Sequence, residues 1–248
     1  MTLWTVQHAK TLIPELIIFA IVALLVGFLL KNKSESVKRI PLMIIAVALL
    51  ILEIKKQILS VTDGVYNTYA LPFHYCSLFI YLLPVHAFYR GKHKEIVSAI
   101  TFALSSSLFL FMLIMPEIVY SYARIDTLFS DFVSFHTVAF HGLVCLYFML
   151  MSTLGLAWTQ RERDVKAIAI FLAAFEIVAF AMAQLLKTNF HNLYRCDVEF
   201  LESIRQAVMS SIGFWTYPLH LLVNTVLTVS FTLLCYLVFG LAYKKIKK

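Results

Sequence analysis

The segment LPFHYCSLFIYLLP, Leu71 to Pro84, begins an apolar run long enough to enter a membrane, yet His74 and Cys76 stand in its first turns. Working outward from it, apolar runs recur along the chain. A membrane span needs about 20 apolar residues. Seven runs qualify: 12–30, 41–59, 72–89, 96–115, 132–156, 165–186 and 218–243. The third is short and contains Pro84, which predicts a kinked or tilted span. The expected fold is all-α, one polytopic membrane domain over residues 1–248 with seven transmembrane helices.

Composition agrees. Of the 248 residues, 61% are hydrophobic and 14% charged, against roughly 25% charged in soluble domains, so most of the chain cannot face water. The first run is preceded by Lys10 alone and followed by Lys31, Lys33, Lys38 and Arg39, the pattern of a retained span rather than a cleaved leader. The segments 31–40, 90–95, 160–166 and 244–248 hold 14 of the 21 Lys and Arg residues, which predicts the N-terminus outside and the C-terminus inside. The formal charge of +7 is therefore a topology signal and an affinity for anionic lipid headgroups, not a nucleic-acid signal. The expected location is the cell membrane.

Between the last two runs, Val198, Leu201, Ile204, Val208 and Ile212 recur at helical spacing, with Glu199, Glu202, Ser203 and Gln206 among them. This predicts an amphipathic helix over 198–212, lying either on the outer leaflet or over the mouth of the bundle.

Ionisable residues inside a bilayer are costly and usually face a protein interior. Glu53, Cys76, His136, His141, Gln184, His220 and Asn224 all fall in the outer halves of their spans, with Asn189 and His191 just beyond the sixth. Five spans thus place polar groups at similar depth. Two explanations are open: a polar cavity facing the outer leaflet, or polar side chains pairing to hold helices together. Lys55 and Lys56 are expected to reach the outer surface, with Glu53 as their counter-ion.

Cys76 near a histidine would form a nucleophile–base pair. His74, at i−2, would face away from it on a helix, and could approach only if the helix begins later. His136 and His141 on the fifth span are the other candidates. Cys76 and Cys196 could instead form a disulfide, since both lie near the outer face. The four histidines at positions 74, 136, 141 and 220 lack the spacing of a metal motif, so no metal or cofactor is expected.

The runs EIKKQ (Glu53 to Gln57), LPFHYCSLFIYLLP, FHGL (Phe140 to Leu143) and TNFHNLY (Thr188 to Tyr194) resemble, in order and spacing, the YwaF family of bacterial membrane proteins, relatives of the eukaryotic transmembrane-protein-164 group. The segment GFWTYPLH (Gly213 to His220) departs from that family's pattern before the last span. The resemblance implies acyl transfer between phospholipids through a cysteine acyl intermediate, with Cys76 as nucleophile and His141 as its histidine. Asn189 or Gln184 would then stabilise the oxyanion, and membrane phospholipids would be the partners. Glu53, Lys56, His191, His220 and Asn224 would line the substrate cavity. The alternatives from the same residues are a transporter or solute-binding protein using Glu53, Lys55 and Lys56, and a seven-span receptor.

Overall fold

The computed structural model describes residues 4–62, 66–157, 161–196 and 199–246. Among these there is no strand. Eight helices of 11 residues or more carry the fold: α1 (Val6–Leu30), α2 (Ile40–Thr62), α3 (Leu78–Phe88), α4 (Lys94–Ile114), α5 (Phe132–Thr153), α6 (Arg161–Leu186), α7 (Glu199–Ile212) and α8 (Thr216–Ile246). Short helices at Glu117–Tyr120 and Tyr122–Asp126 join α4 to α5. Five helical stretches are long and apolar enough to cross a membrane: α1, α4, α5, Glu162–Leu186 and Glu199–Lys245.

Local chemistry sets the helix ends. Thr5 and His8 form a reciprocal capping box, so α1 starts six residues before its apolar run at Leu12. Asp131 caps α5 by accepting from the Ser134 amide at 2.7 Å. Hydrogen bonding from the Ser134 side chain, and then from its amide, holds the Asp131 carboxyl below the usual carboxylate range. Helix α5 stops at Thr153 rather than at 156, because Gly155 takes a left-handed φ of 71° and Leu156 N–H returns to Met151 O at 3.0 Å.

The expected span 72–89 is not one helix. Leu71, ahead of Pro72, is extended, and so is His74. A 3₁₀ turn at Tyr75–Ser77 follows, and α3 then runs for 11 residues. At about 1.5 Å per residue that is roughly half of a ~30 Å hydrocarbon core. Pro72 is therefore not a first helical residue, and Cys76 precedes the helix instead of lying a turn inside it. The predicted amphipathic helix is found as α7; Val198 lies outside the described residues.

Helices α4 and α5 form the centre. Helix α5 packs on α1, α2 and α4, and α4 packs on α3, α6 and α8. Helix α4 achieves this with small buried side chains: Ser98, Thr101, Ser105, Ser106 and Ser107. Their size lets neighbours approach. Four of the hydroxyls are satisfied within the helix itself, as where Ser105 donates to Thr101 O at 2.6 Å. At the other extreme α1 buries only His8, Leu12, Ala23 and Gly27, and turns Ile17, Ile21, Leu24 and Phe28 outward.

One end of the bundle is locked by ionic contacts. Arg39, almost fully buried, donates to His86 O at 2.7 Å and pairs with Glu35 at 2.8 Å. The Arg39 hydrogen bond holds the Glu35 carboxyl below its ordinary range. His86, buried beneath, hydrogen-bonds through Nδ1 to the Tyr147 hydroxyl at 2.6 Å. His86 is thus structural.

Helix α1 meets α5 at Gly27, where an added Cβ would sit 2.9 Å from Thr153 Cβ and 3.3 Å from Thr153 O. Neither neighbour is the end of a flexible side chain. Gly27→Ala should cost about 1–3 kcal/mol by overpacking, read as a lowered thermal unfolding midpoint of the purified protein in detergent. An unchanged midpoint would contradict this helix contact.

Candidate functional site

The site begins with the irregular segment 66–77. Asn67 caps a 3₁₀ turn at Thr68–Ala70 by accepting from Tyr69 N–H at 3.0 Å. His74 hydrogen-bonds through Nε2 to Tyr69 O at 3.1 Å, and its ring packs 4.3 Å from Tyr69 and 5.4 Å from Phe190. The helix does begin after His74, as an approach to Cys76 would require, but the imidazole is engaged in shaping the loop. Cys76 is half-buried at the foot of α3. Neither it nor Cys196 is in a disulfide.

Two polar clusters flank this turn. The first is built on α2 and α5 around Glu53, 6% exposed. One carboxylate oxygen accepts from Lys56 Nζ at 2.7 Å and from the Gln57 amide at 2.7 Å. The other meets His136 Nε2 at 3.2 Å. A carboxylate only accepts, so this His136 nitrogen carries a proton, which in a neutral ring would leave the lone pair on Nδ1. His136 stacks on Phe140, with ring centres 5.5 Å apart. Gln57 extends the cluster into the loop, donating to Ala70 O at 2.7 Å and accepting from the Tyr66 hydroxyl at 2.8 Å. Lys56 and Glu53 lie close enough to Cys76 to act on it electrostatically.

His141 lies one turn beyond Thr137, to whose carbonyl its Nδ1 is bonded at 2.6 Å. The same logic leaves Nε2 with the lone pair. His136 and Lys56 are within electrostatic range of it. Lys56 is thus a partly buried ion-pair partner of Glu53, while Lys55 Nζ rests 4.2 Å over the Phe132 ring.

The second cluster joins α6, α8 and the loop after α6. Glu176, fully buried, lies 2.8 Å from His191 Nδ1 and accepts from the Asn224 amide at 3.0 Å. Asn224 also donates to His191 O at 3.3 Å. Tyr75 reaches toward this side: its hydroxyl bonds Ser107 at 2.6 Å and Thr232 at 3.0 Å, and its ring is 5.5 Å from that of His191. His191 and Asn192 are left-handed, with φ of 49° and 60°. Such conformations cost non-glycine residues about 1–3 kcal/mol each and persist where the surroundings enforce them.

The remaining predicted residues hold the loop together. Gln184 donates to Leu193 O at 3.0 Å. Asn189 Oδ1 accepts from Tyr194 and Arg195 amides. His220 Nε2 bonds Asn192 O at 2.6 Å. Gln184 through one amide N–H and Asn189 through its carbonyl oxygen thus bond the backbone of this loop. A Thr68–Thr188 hydroxyl contact at 2.6 Å ties this loop to the segment before Cys76. The outer polar residues thus include two side-chain clusters, one around Glu53 and one around Glu176, while His141, Gln184, Asn189 and His220 bond the backbone. Among the described residues no group of three His, Cys, Asp or Glu is arranged to hold a metal.

Glu15 was not among the sequence candidates. It accepts a hydrogen bond from the Tyr120 hydroxyl, and a Cβ on Gly142 would collide with its carboxylate. It borders an apolar crevice of about 500 Å³ with Phe19, Ile51, Leu52, Phe135 and Leu143. The rule that singled out Glu53, an acid within an apolar run, applies equally to Glu15. Tyr75 and Tyr120 carry no such signal.

No curated protein and no solved structure matches the chain. A protein family does match, over residues 3–242, which takes in both polar clusters and every helix but the last turn of α8. The chain belongs to the TMEM164 family.

Proposed function

We propose that this protein is a multi-pass enzyme of the cell membrane that transfers or hydrolyses acyl chains of phospholipids through a thioester on Cys76. In this reading the chain crosses the membrane seven times, with the N-terminus outside and the C-terminus inside. The short α3 and its preceding turn together occupy one crossing. Irregular backbone at such depth is tolerated where protein surrounds it, and the loop after α6 packs against Thr68, Phe73, His74 and Tyr75 of the 66–77 segment.

The observation that carries the proposal is the setting of Cys76. It is an unbridged thiol just before a helix N-terminus, within electrostatic range of Lys56 and Glu53, with His136 bonded to that same Glu53 and His141 further along α5; among the described residues no hydrogen bond joins the thiol to either ring. Cys76 Sγ attacks the ester carbonyl carbon while its proton passes to His141 Nε2. The carbon–oxygen ester bond breaks, and the departing lysolipid oxygen takes that proton. The hydroxyl of an acceptor lipid, or water, then attacks the thioester and returns its proton through His141 to the sulfur. The outward amides of the first turn of α3 and the Lys56 ammonium offer positive potential to the oxyanion. His136, held by Glu53, keeps the cluster in register beside the reacting groups. The apolar crevice beside Glu15 suits an acyl chain.

Purified protein given phospholipid should carry an acyl adduct on the Cys76 peptide by mass spectrometry, released by hydroxylamine and absent in Cys76→Ser. Equal acyl transfer by Cys76→Ser and wild type would exclude the mechanism. His141→Gln should lower the transfer rate by roughly 10²–10⁴-fold while the protein stays folded. If His136→Gln has that effect and His141→Gln does not, the proton acceptor is His136.

Removing the Glu53 carboxylate leaves buried His136 and partly buried Lys56 without their partner. Glu53→Leu should cost about 3–5 kcal/mol, and adding Lys56→Met should restore part of it. A thermal midpoint unchanged by Glu53→Leu would mean that the cluster is not load-sharing between α2 and α5.

A further inference from the structure

Between α7 and the start of α8 lies a groove of about 360 Å³, formed by different helices from those that carry Cys76, Glu53 and His136. Its walls are apolar, with Ile204 and Val208 from α7 and Val223 and Leu227 from α8. Ile204, Val223 and Leu227 are each about half exposed, so the groove lies open along its length. Polar groups gather toward the start of α8, where Thr216 and His220 line it and Arg205 and Asn192 border it. Arg205 is bonded to Glu202 through two nitrogens, at 2.8 and 2.6 Å, so this rim carries little net charge. Thr216 is 2% exposed, and its hydroxyl has no hydrogen-bond partner among the described residues. A buried hydroxyl without a partner costs about 1–3 kcal/mol, and such groups in native proteins call for an explanation.

We infer that this groove is a binding site for a monoacyl lipid. One acyl chain lies along Val208, Val223 and Leu227, and the first hydroxyl or ester oxygen of the glycerol completes the hydrogen bond of Thr216. The gradient from apolar walls to polar mouth matches a single-chain amphiphile. The volume is at the small end of the roughly 300–1,000 Å³ typical of ligand pockets, which suits one chain rather than the two of a diacyl lipid. The near-neutral rim favours a zwitterionic or uncharged head over an anionic one. Asn224 lines the groove and also donates to Glu176, so an occupant would touch the cluster beside Tyr75.

The test uses the full-length protein with Cys76→Ala in detergent, so that binding is read without turnover. The probe is lysophosphatidylcholine bearing a diazirine in its acyl chain, with cross-linked peptides mapped by mass spectrometry. Labelling should concentrate within residues 199–227. Unlabelled lysophosphatidylcholine should displace it at least tenfold more effectively than diacyl phosphatidylcholine. Thr216→Val should weaken labelling about fivefold, the loss of one hydrogen bond, and Val223→Trp should block the groove. The Thr216 and competition measurements stand if Val223→Trp fails to fold. Labelling spread evenly over the helices, equal displacement by the diacyl lipid, or labelling indifferent to Thr216→Val would each overturn the inference. Because the probe is read on a protein without the thiol, failure here is distinct from failure of the thioester mechanism.

Discussion

The Glu53 carboxylate has to be satisfied where water is scarce, and the candidate site is organised by how that is done. A buried charge is tolerated when it is paired and fully hydrogen-bonded. Glu53 meets this with three donors from two helices: Lys56 and Gln57 on its own helix, and His136 across the interface. Gln57 then passes the constraint onward, since the same amide holds Ala70 O, two residues before Pro72. The position of the Cys76 turn is in this sense a consequence of satisfying Glu53. The ion pair need not add net stability to matter, because buried polar networks are better attested as fixing one arrangement over others.

The turn itself depends on a second support. Backbone that leaves the helix in a low-dielectric setting must find partners for its polar groups. Here the segment 66–77 turns back on itself, with Ala70, Leu71, Phe73 and Ser77 N–H groups bonded to nearby carbonyls. The loop after α6 then covers it through Thr188, Phe190 and His191. That loop carries left-handed His191 and Asn192. Gln184, Asn189 and Asn224 hold that conformation by bonding its backbone.

Much of the architecture was legible in the sequence because long apolar stretches need no pattern beyond length. The ends of the helices were less so: Thr5 with His8 extends α1, and Gly155 stops α5, through caps outside the apolar runs. The segment 72–89 misled because continuous apolarity does not distinguish a helix from a buried turn. One contact that helps hold the turn, Thr68 with Thr188, joins residues 120 positions apart. The polar layer was visible as a set, since counting along a helix gives depth. Its partition into a Glu53 group and a Glu176 group was not, because depth does not say toward which neighbour a side chain points. Pairing of Glu53 with a neighbouring lysine was foreseen; the backbone contacts of Gln184 and Asn189 were not. Glu15 shows the opposite error, a residue the same depth argument should have included.

The most direct test of the central claim is the rate at which Cys76 reacts with a maleimide in the folded protein, compared between wild type, Gln57→Leu and Glu53→Gln. Buried Cys235 serves as the internal reference, with Cys145 and Cys196 replaced by serine. If the Glu53–Gln57 tether holds the turn, cutting it should speed Cys76 alkylation several-fold while Cys235 stays unreactive. Equal Cys76 rates in all three proteins would mean that the turn is positioned by other contacts, and the account of the site built on Glu53 would be wrong.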